Sequence, residues 1–273
     1  MRYLRLFSVL FLVASILFSV WANIHYYSHR NADRPIITSD TTLLKISTAD
    51  GSDGLLQGLH AQDKTDGDIT DKIMIASISH FITPNTVNVK YVVFDSHNNS
   101  STLTRKVEYT DYVAPTFKLL KSPVYTKGES FDLLDYVKAE DSIDGDITDK
   151  IRIISNTVSN YSSGVYPIIF EVTNSYGDKA QLEVMVTYLE SKNTVSIKLH
   201  EYVVYIEKGE SFNPQEWIAS VTTDDNTSLD KEKVSVQGNL DTSENGSYQL
   251  NYSYDDGARK GIASLTVVVG LSA

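Results

Sequence analysis

A fifteen-residue stretch occurs twice in this chain and decides how the chain is organised. Residues 61–75 read AQDKTDGDITDKIMI, and residues 139–153 read AEDSIDGDITDKIRI, so the two copies begin 78 positions apart. A shorter match, KGESF, occupies residues 127–131 and again residues 208–212. Self-similarity at a spacing of about 80 residues indicates tandem copies of one folding unit.

Each of three successive segments closes with two apolar strands around a polar turn. In the first strand of each pair, apolar and polar residues alternate, which predicts a strand with one buried face. We expect the apolar positions to form the cores of the three units, and the alternative is an exposed tyrosine platform that stacks sugars. The three stripes are Val87, Val89, Tyr91 and Val93; Tyr166, Ile168, Phe170 and Val172; and Tyr248, Leu250, Tyr252 and Tyr254.

The spacing of strands and turns predicts an all-β fold with three tandem β-sandwiches after an N-terminal membrane-directed helix. Short strands separated by turn signals every 8 to 12 residues are typical of two antiparallel sheets packed face to face. We place a membrane-directed segment at residues 1–24, a polar stalk at 25–33, and the three domains at 34–110, 111–190 and 191–273. The short linkers between the domains predict a stiff rod, with its third domain furthest from the membrane.

The N-terminal segment directs the chain to a membrane. Residues 4–24 read LRLFSVLFLVASILFSVWANI. Arg2 and Arg5 stand at the start of this apolar run, and no acidic residue occurs before Asp33. Positive charge before an apolar run keeps that end in the cytoplasm and sends the rest of the chain outward. We expect a single-pass cell-membrane protein with an extracellular C-terminal part. The alternative is a secreted protein, cleaved near Ala22 like a signal peptide.

Charge and composition exclude several classes of function. Beyond residue 22 the chain carries 22 Lys and Arg against 35 Asp and Glu, a net charge of −13, which disfavours nucleic acid as a partner. Cysteine is absent, so disulfides and thiolate sites are excluded. No P-loop, nucleophile elbow or dinucleotide fingerprint occurs, and we predict that the protein is not an enzyme. His25 and His29 stand at i and i+4 in the predicted stalk, where we expect solvent exposure rather than metal.

The repeats resemble a known family. Asp111, Ala114 and Pro115 give a D-x-x-A-P start, which is followed by a KGE turn and by A-x-D-x-x-D-G-D-I-T. This order is similar to the bacterial Ig-like surface repeat first catalogued in insecticidal crystal proteins. The resemblance implies Ig-like β-sandwiches and a role in display, adhesion or spacing. It is strong in the second repeat, good in the first and weak in the third, where residues 222–228 read TTDDNTS.

Two aspartate clusters are the candidate sites of the chain. Four carboxylates within nine residues repel one another unless water, hydrogen bonds or a cation compensate them, and Ca²⁺ prefers such oxygen ligands. The candidate calcium ligands are Asp63, Asp66, Asp68 and Asp71 in the first repeat, and Asp141, Asp144, Asp146 and Asp149 in the second. The simpler interpretation is a turn, in which the Asp and Thr side chains hydrogen-bond backbone amides. The third repeat lacks the cluster.

The leading functional hypothesis is a bacterial cell-surface protein that displays Ig-like domains for binding or adhesion. Its ligand would be a protein or a glycan at the cell surface, and the divergent third repeat is the candidate binding surface. One alternative is a structural spacer or an assembly partner of an envelope complex. Another is a polysaccharide-binding accessory protein of a hydrolase system.

Overall fold

We describe a computed structural model of this protein over residues 2–32 and 34–270, with side chains at residues 7–26 and 34–270. The chain divides into two compact units, Met1–Thr110 and Asp111–Ala273. Each unit is described by itself below.

The N-terminal segment forms one long helix, α1 (Arg2–Ala32). Its apolar part, Phe7–Tyr26, covers 20 residues with a mean hydropathy of 2.1, and no part of that window is buried. A helix of this length and composition is able to cross a membrane, and a signal sequence has the same properties. The helix continues through residues 25–32, which the sequence predicted to be a polar stalk, and the side chain of His29 and all of Asp33 lie outside the described residues.

The first sandwich consists of a three-stranded and a four-stranded sheet. The strand orders are β1-β3-β4 and β2-β7-β6-β5, and β2 pairs with β7 in parallel while the other pairs are antiparallel. The strands are β1 (Ile36–Ser39), β2 (Leu43–Ile46), β3 (Leu59–Asp63), β4 (Gly67–Asp68), β5 (Met74–Ile78), β6 (Thr86–Phe94) and β7 (Ser100–Tyr109).

The second sandwich repeats this arrangement. Its sheets have the orders β11-β10-β8 and β12-β13-β14-β9, and again one pair, β14 with β9, is parallel. The strands are β8 (Thr116–Leu119), β9 (Val124–Thr126), β10 (Val137–Asp141), β11 (Gly145–Asp146), β12 (Arg152–Asn156), β13 (Gly164–Thr173) and β14 (Lys179–Leu189).

The third sandwich keeps the four-stranded sheet and has a smaller partner sheet. The orders are β15-β17 and β16-β20-β19-β18, with β16 and β20 in parallel. The strands are β15 (Val195–Leu199), β16 (Val203–Ile206), β17 (Ile218–Thr223), β18 (Ser235–Gln237), β19 (Gly246–Asp255) and β20 (Lys260–Val269). The prediction of three tandem sandwiches is therefore confirmed.

Short helices connect the strands. The first unit contains a four-residue helix, α2 (Gly51–Gly54). Single 3₁₀ turns stand at Thr48–Asp50, Thr70–Lys72, Leu133–Tyr136, Thr148–Lys150, Pro214–Trp217 and Lys231–Lys233. The turns at Thr70–Lys72 and Thr148–Lys150 contain the last aspartate of each cluster, so the repeated sequence adopts the same local fold twice.

The alternating stripes form the cores, as the sequence predicted. Ten of the twelve stripe residues are buried, and Tyr166 and Tyr248 at the strand starts are half-buried. Tyr91, Phe170 and Tyr252 take equivalent central positions and are fully buried. A core role rather than an exposed tyrosine platform follows from this burial.

The second and third sandwiches pack directly on each other. One face of β20 covers the core of the third sandwich, and its other face carries Ser264, Thr266 and Val268, which are also buried. Val268 and Val203 belong to the hydrophobic cluster of the second sandwich. The two domains thus share apolar contacts as well as a linker, and they fold into one compact unit.

Candidate functional site

The first aspartate cluster is held by backbone amides. The Asp63 Oδ1 atom accepts hydrogen bonds from the backbone N–H groups of Thr65 and Asp66 at 2.8 and 2.9 Å. The carboxylate of Asp66 accepts from the backbone N–H and the hydroxyl of Ser96 at 2.6 and 2.7 Å, which ties the loop to the turn after β6. Asp68 accepts from the Thr70 N–H at 3.0 Å, and Asp71 lies exposed in the 3₁₀ turn.

The second cluster has the same scaffold. The Asp141 Oδ1 atom accepts from the Ile143 and Asp144 N–H groups, both at 2.9 Å. Asp144 accepts from the Ser175 N–H and hydroxyl at 2.7 and 2.6 Å, and Lys150 Nζ lies 2.9 Å from its Oδ2 atom. The remaining two residues resemble their counterparts in the first loop: Asp146 accepts from the Thr148 N–H at 2.9 Å, and Asp149 lies exposed.

These contacts favour the charged form of several carboxylates. The Ser96 hydroxyl and N–H lower the pKa of Asp66, and the Thr70 hydroxyl and N–H lower that of Asp68. The Thr148 contacts act in the same way on the pKa of Asp146. For Asp144, burial opposes ionisation, but Ser175 and Lys150 outweigh it and lower the pKa.

The local geometry is that of a turn fixed by its own carboxylates. Over the described residues, no group of three or more His, Cys, Asp or Glu side chains is arranged to hold a metal ion. The assignment of the eight aspartates to calcium stays a prediction.

The third repeat closes the corresponding loop with other residues. Thr223 and Asp225 hydrogen-bond through their side chains, and the Thr227 N–H donates to the Thr223 hydroxyl at 3.1 Å. The Leu229 N–H donates to the Val221 carbonyl at 2.8 Å, just as the Ile69 N–H donates to the Ala61 carbonyl in the first repeat. The loss of the DGDIT sequence thus changes the side chains and moves the positive-φ residue one position earlier, from that of Gly67 to Asn226, while the hydrogen bond that closes the loop is kept.

The repeated KGESF motif is a tight turn of the scaffold. In the second repeat, Glu129 accepts from the Thr126 N–H at 2.7 Å, and in the third, Glu210 accepts from the Glu207 N–H at 2.9 Å. The glycine before each glutamate has a φ of +87° or +82°, a conformation that non-glycine residues rarely adopt. The repeated glycine of the motif is therefore explained by the positive φ that the turn requires.

A groove opens beside this turn in the third sandwich. Its lining includes Phe212, Gln237, Asn239, Leu240 and Asp241. The ring of Phe212 stacks on Trp217 with centroids 5.9 Å apart and ring planes at 11°. Gln237, Asn239 and Asp241 are exposed, and the Ser243 hydroxyl and N–H lower the pKa of Asp241. The groove therefore combines amide groups and a carboxylate with an aromatic ring.

The histidines are dispersed. His25 stacks on Trp21 with centroids 5.3 Å apart, and His60 lies 3.2 Å from a carboxylate oxygen of Asp40. His97 contacts the Ser96 hydroxyl at 3.3 Å.

Sequence reasoning missed the polar side chains that are buried behind the aspartate loops. Asp95 and Asn99 follow β6, and Asn174 follows β13; all three are at most 7% exposed. In a single sequence such residues look like ordinary turn residues, and only an alignment of the turn after β6 with the turn after β13 would have marked them. Arg105 in β7, which is 4% exposed, was missed because an arginine in a strand is normally expected to face solvent.

Comparisons with known proteins agree with this fold. A family model described as "Bacterial surface protein, Ig-like domain" matches residues 120–187 and 199–269. These ranges fall in the second and third sandwiches, so the third repeat matches the family although its DGDIT sequence is lost. The third repeat, for which we expected a weak resemblance, is thus matched over its strands, whereas the matched ranges do not include the first repeat, for which we expected a good one.

The curated relatives are longer proteins. Pesticidal crystal protein Cry22Aa of Bacillus thuringiensis is 31% identical over 221 residues, which cover 77% of this chain and 29% of that protein. An 81.3 kDa protein of Acholeplasma phage L2, described as uncharacterized, is 32% identical over 145 residues, 50% of this chain and 19% of that protein. The chain thus spans less than a third of the length of either relative.

Solved structures overlap with the chain at low scores. A structure of CBM51-2 with INT domains from Clostridium perfringens ZmpB, in complex with GlcNAc, has a TM-score of 0.26 and 15% identity, and covers 52% of this chain and 29% of that chain. The lipoprotein BT2262 of Bacteroides thetaiotaomicron has a TM-score of 0.21 and 13% identity, and covers 85% of this chain and 98% of that chain. Overlaps at this level carry no argument about ligands.

Proposed function

Because the chain belongs to the bacterial surface protein Ig-like domain family, we propose that it is a non-enzymatic surface protein whose Ig-like domains bind a protein or a glycan outside the membrane. The observation that carries this proposal is the combination of an apolar helix with β-sandwich domains. The window Phe7–Tyr26 has no buried share, so nothing in the described fold covers it. A bilayer is the environment that such a helix fits.

The charge distribution supports this orientation. Arg2 and Arg5 precede the apolar window, and the rest of the chain is acidic. Cationic residues before a spanning helix stay on the cytoplasmic side, so the sandwiches would lie outside. We propose that α1 stays attached as a single-pass anchor. Intact-mass measurement of the mature protein tests this point: a chain that begins near Asn23 would show a cleaved signal peptide and a secreted protein instead.

The groove of the third sandwich is the proposed ligand-contact surface. It presents hydrogen-bonding groups of Gln237 and Asn239 together with Phe212, whose ring stacks on Trp217. Part of the outer face of the four-stranded sheet in this domain is covered, because Val268 packs into the hydrophobic cluster of the second sandwich. The polar residues of the groove are exposed, and the groove is the surface that we propose for the ligand.

A binding experiment tests the proposal. The full-length protein in detergent micelles is presented to purified cell wall, a glycan panel and matrix proteins. Removing the third domain is a poor control, because it exposes the surface of the second domain that Tyr205 and Val203 cover. The single variants Gln237→Ala and Asn239→Ala change the groove alone, and Gln57→Ala, an exposed glutamine of the first domain, serves as the matched control.

We expect saturable binding of one ligand class, weakened on the order of tenfold by Asn239→Ala or Gln237→Ala and unchanged by Gln57→Ala. The class that binds decides between protein and glycan. Equal binding by the groove variants and the control would place the contact elsewhere on the chain. A complete lack of binding would contradict the binding role and favour a spacer or an assembly partner of an envelope complex.

A further inference from the structure

The two aspartate loops differ at one buried oxygen. In the second sandwich, the Asp141 Oδ2 atom accepts a hydrogen bond from Asn174 Nδ2 at 3.1 Å. In the first sandwich, the equivalent Asp63 Oδ2 atom is buried and has no hydrogen-bond partner. Asp63 as a whole is 6% exposed. A buried carboxylate oxygen without a partner is unfavourable. A donor or a cation would compensate it.

Asp95 takes the position of Asn174 in the first sandwich. Each is the first residue after its strand, and each is followed by the serine that binds Asp66 or Asp144. The Asp95 Oδ1 atom accepts from the N–H groups two and four residues later, and so does the Asn174 Oδ1 atom. The Asp95 Oδ2 atom therefore corresponds to Asn174 Nδ2, the donor that serves Asp141.

An acceptor thus replaces a donor at this position. Asp95 is 7% exposed, and its Oδ2 atom accepts one hydrogen bond, from Asn99 Nδ2 at 2.8 Å. The first sandwich therefore places two buried carboxylates, Asp63 and Asp95, where the second has a carboxylate and an amide. Two carboxylate charges at buried positions that correspond to a hydrogen-bonded pair destabilise each other unless a positive charge lies between them.

We propose that the first sandwich binds a divalent cation, Ca²⁺, between Asp63 and Asp95. Carboxylate oxygens are the ligands that Ca²⁺ prefers, and its charge neutralises the pair. Two carboxylates leave most of the coordination to water and neighbouring carbonyl oxygens, so the affinity falls in the range of extracellular modules, roughly 10⁻⁴–10⁻³ M. Asp141 and Asn174 form no such site. The inference does not depend on which ligand the third domain binds.

Thermal unfolding of the full-length protein in detergent tests the proposal. With 5 mM CaCl₂ in place of EDTA, we expect the transition of the first sandwich to rise on the order of 5 °C, and equilibrium dialysis to give one Ca²⁺ per chain. Asp95→Asn restores the amide that the second sandwich already has. This variant should lose both the shift and the bound ion, while keeping its circular dichroism spectrum.

The matched reverse variant is Asn174→Asp, which places the acidic pair in the second sandwich. We expect it to add a second Ca²⁺ per chain and to make the unfolding of that domain calcium-dependent. The proposal is overturned if the wild-type protein binds no Ca²⁺ at 5 mM, or if Asp95→Asn binds it as well as the wild type does. Should Asp95→Asn fail to fold, the stoichiometry of the wild-type protein still decides.

Discussion

The hydroxyl oxygen of Tyr205 in the third sandwich accepts a hydrogen bond from the backbone N–H of Phe117 in the second, at 2.6 Å. Burial raises the pKa of Tyr205 to about 12, so the hydroxyl stays neutral over the physiological range. The Ser122 hydroxyl likewise accepts from the Ser264 N–H at 2.9 Å, and Gln249 donates to the Met185 carbonyl at 3.2 Å. Together with the packing of Val203 and Val268 on the second sandwich, these polar contacts fix the orientation of the two domains.

We therefore expect the second and third sandwiches to unfold together. Val268→Asp places a charge in their contact, and burial of an unpaired carboxylate should cost about 3–5 kcal/mol. Calorimetry of the full chain should show one transition for this unit in the wild type, and a lowered or split transition in the variant. Val165→Asp, at a position that is 56% exposed, is the control. Equal effects of the two variants would show that the contact contributes nothing to stability.

Arg105 stabilises the first sandwich from within its core. Its guanidinium donates to the Leu55 carbonyl at 2.7 Å, to the Tyr91 hydroxyl at 3.2 Å and to the Ser39 hydroxyl at 3.0 Å. Arg105→Ala should lower the free energy of unfolding by about 2–4 kcal/mol, because it removes charged hydrogen bonds and leaves a cavity. Urea unfolding measures the loss. The neighbouring exposed Lys106→Ala should change it by less than about 0.5 kcal/mol, and a similar small loss for Arg105→Ala would refute this role.

Asp256 makes the last hairpin of the third sandwich sensitive to acid. The Arg259 N–H and guanidinium and the Ala258 N–H lower the pKa of Asp256 to about 2. Because the pKa is lower in the folded state, ionised Asp256 stabilises the fold above its unfolded value near 4, and this contribution is lost as the pH falls toward 2. The melting temperature of the wild type should exceed that of Asp256→Asn at pH 6, and the two should converge near pH 2.

The control for this prediction is Asp224→Asn, a substitution at an exposed aspartate outside the hairpin. A difference between wild type and Asp256→Asn that is as large at pH 2 as at pH 6 would mean that the charge of Asp256 does not contribute to stability.

The alternation of apolar and polar residues predicted the cores of this protein, because a strand with one buried face shows that pattern in its own sequence. Val87, Phe170 and Leu250 were assigned correctly for that reason. The same rule fails for β20, where Ser264 and Thr266 look like solvent-facing residues but are buried by another domain. Contacts between domains depend on the outer faces of several strands, so they cannot be predicted from the sequence of a single strand.

In the aspartate loops, too, the local structure could be predicted from sequence and the contacts with distant residues could not. Repetition of DGDIT predicted a local turn, and the turn is present in both copies. Its buried partners could not be predicted, because Asp95 and Asn174 come from a turn about thirty residues away along the chain. Which oxygen lacks a partner depends on how that distant turn packs. The assignment of the eight aspartates to calcium stays a prediction, and the proposed site at Asp63 and Asp95 includes one residue, Asp95, that the sequence did not mark.

The proposed surface role is tested most directly by measuring on which side of the membrane the sandwich domains lie. The full chain with a C-terminal epitope tag is produced in bacterial cells, and intact spheroplasts are treated with protease before and after lysis. We predict that the tag is digested on intact spheroplasts, and that without protease the chain remains in the membrane fraction after an alkaline wash. A tag that is protected until the cells are lysed would place the domains in the cytoplasm and contradict the proposed surface role.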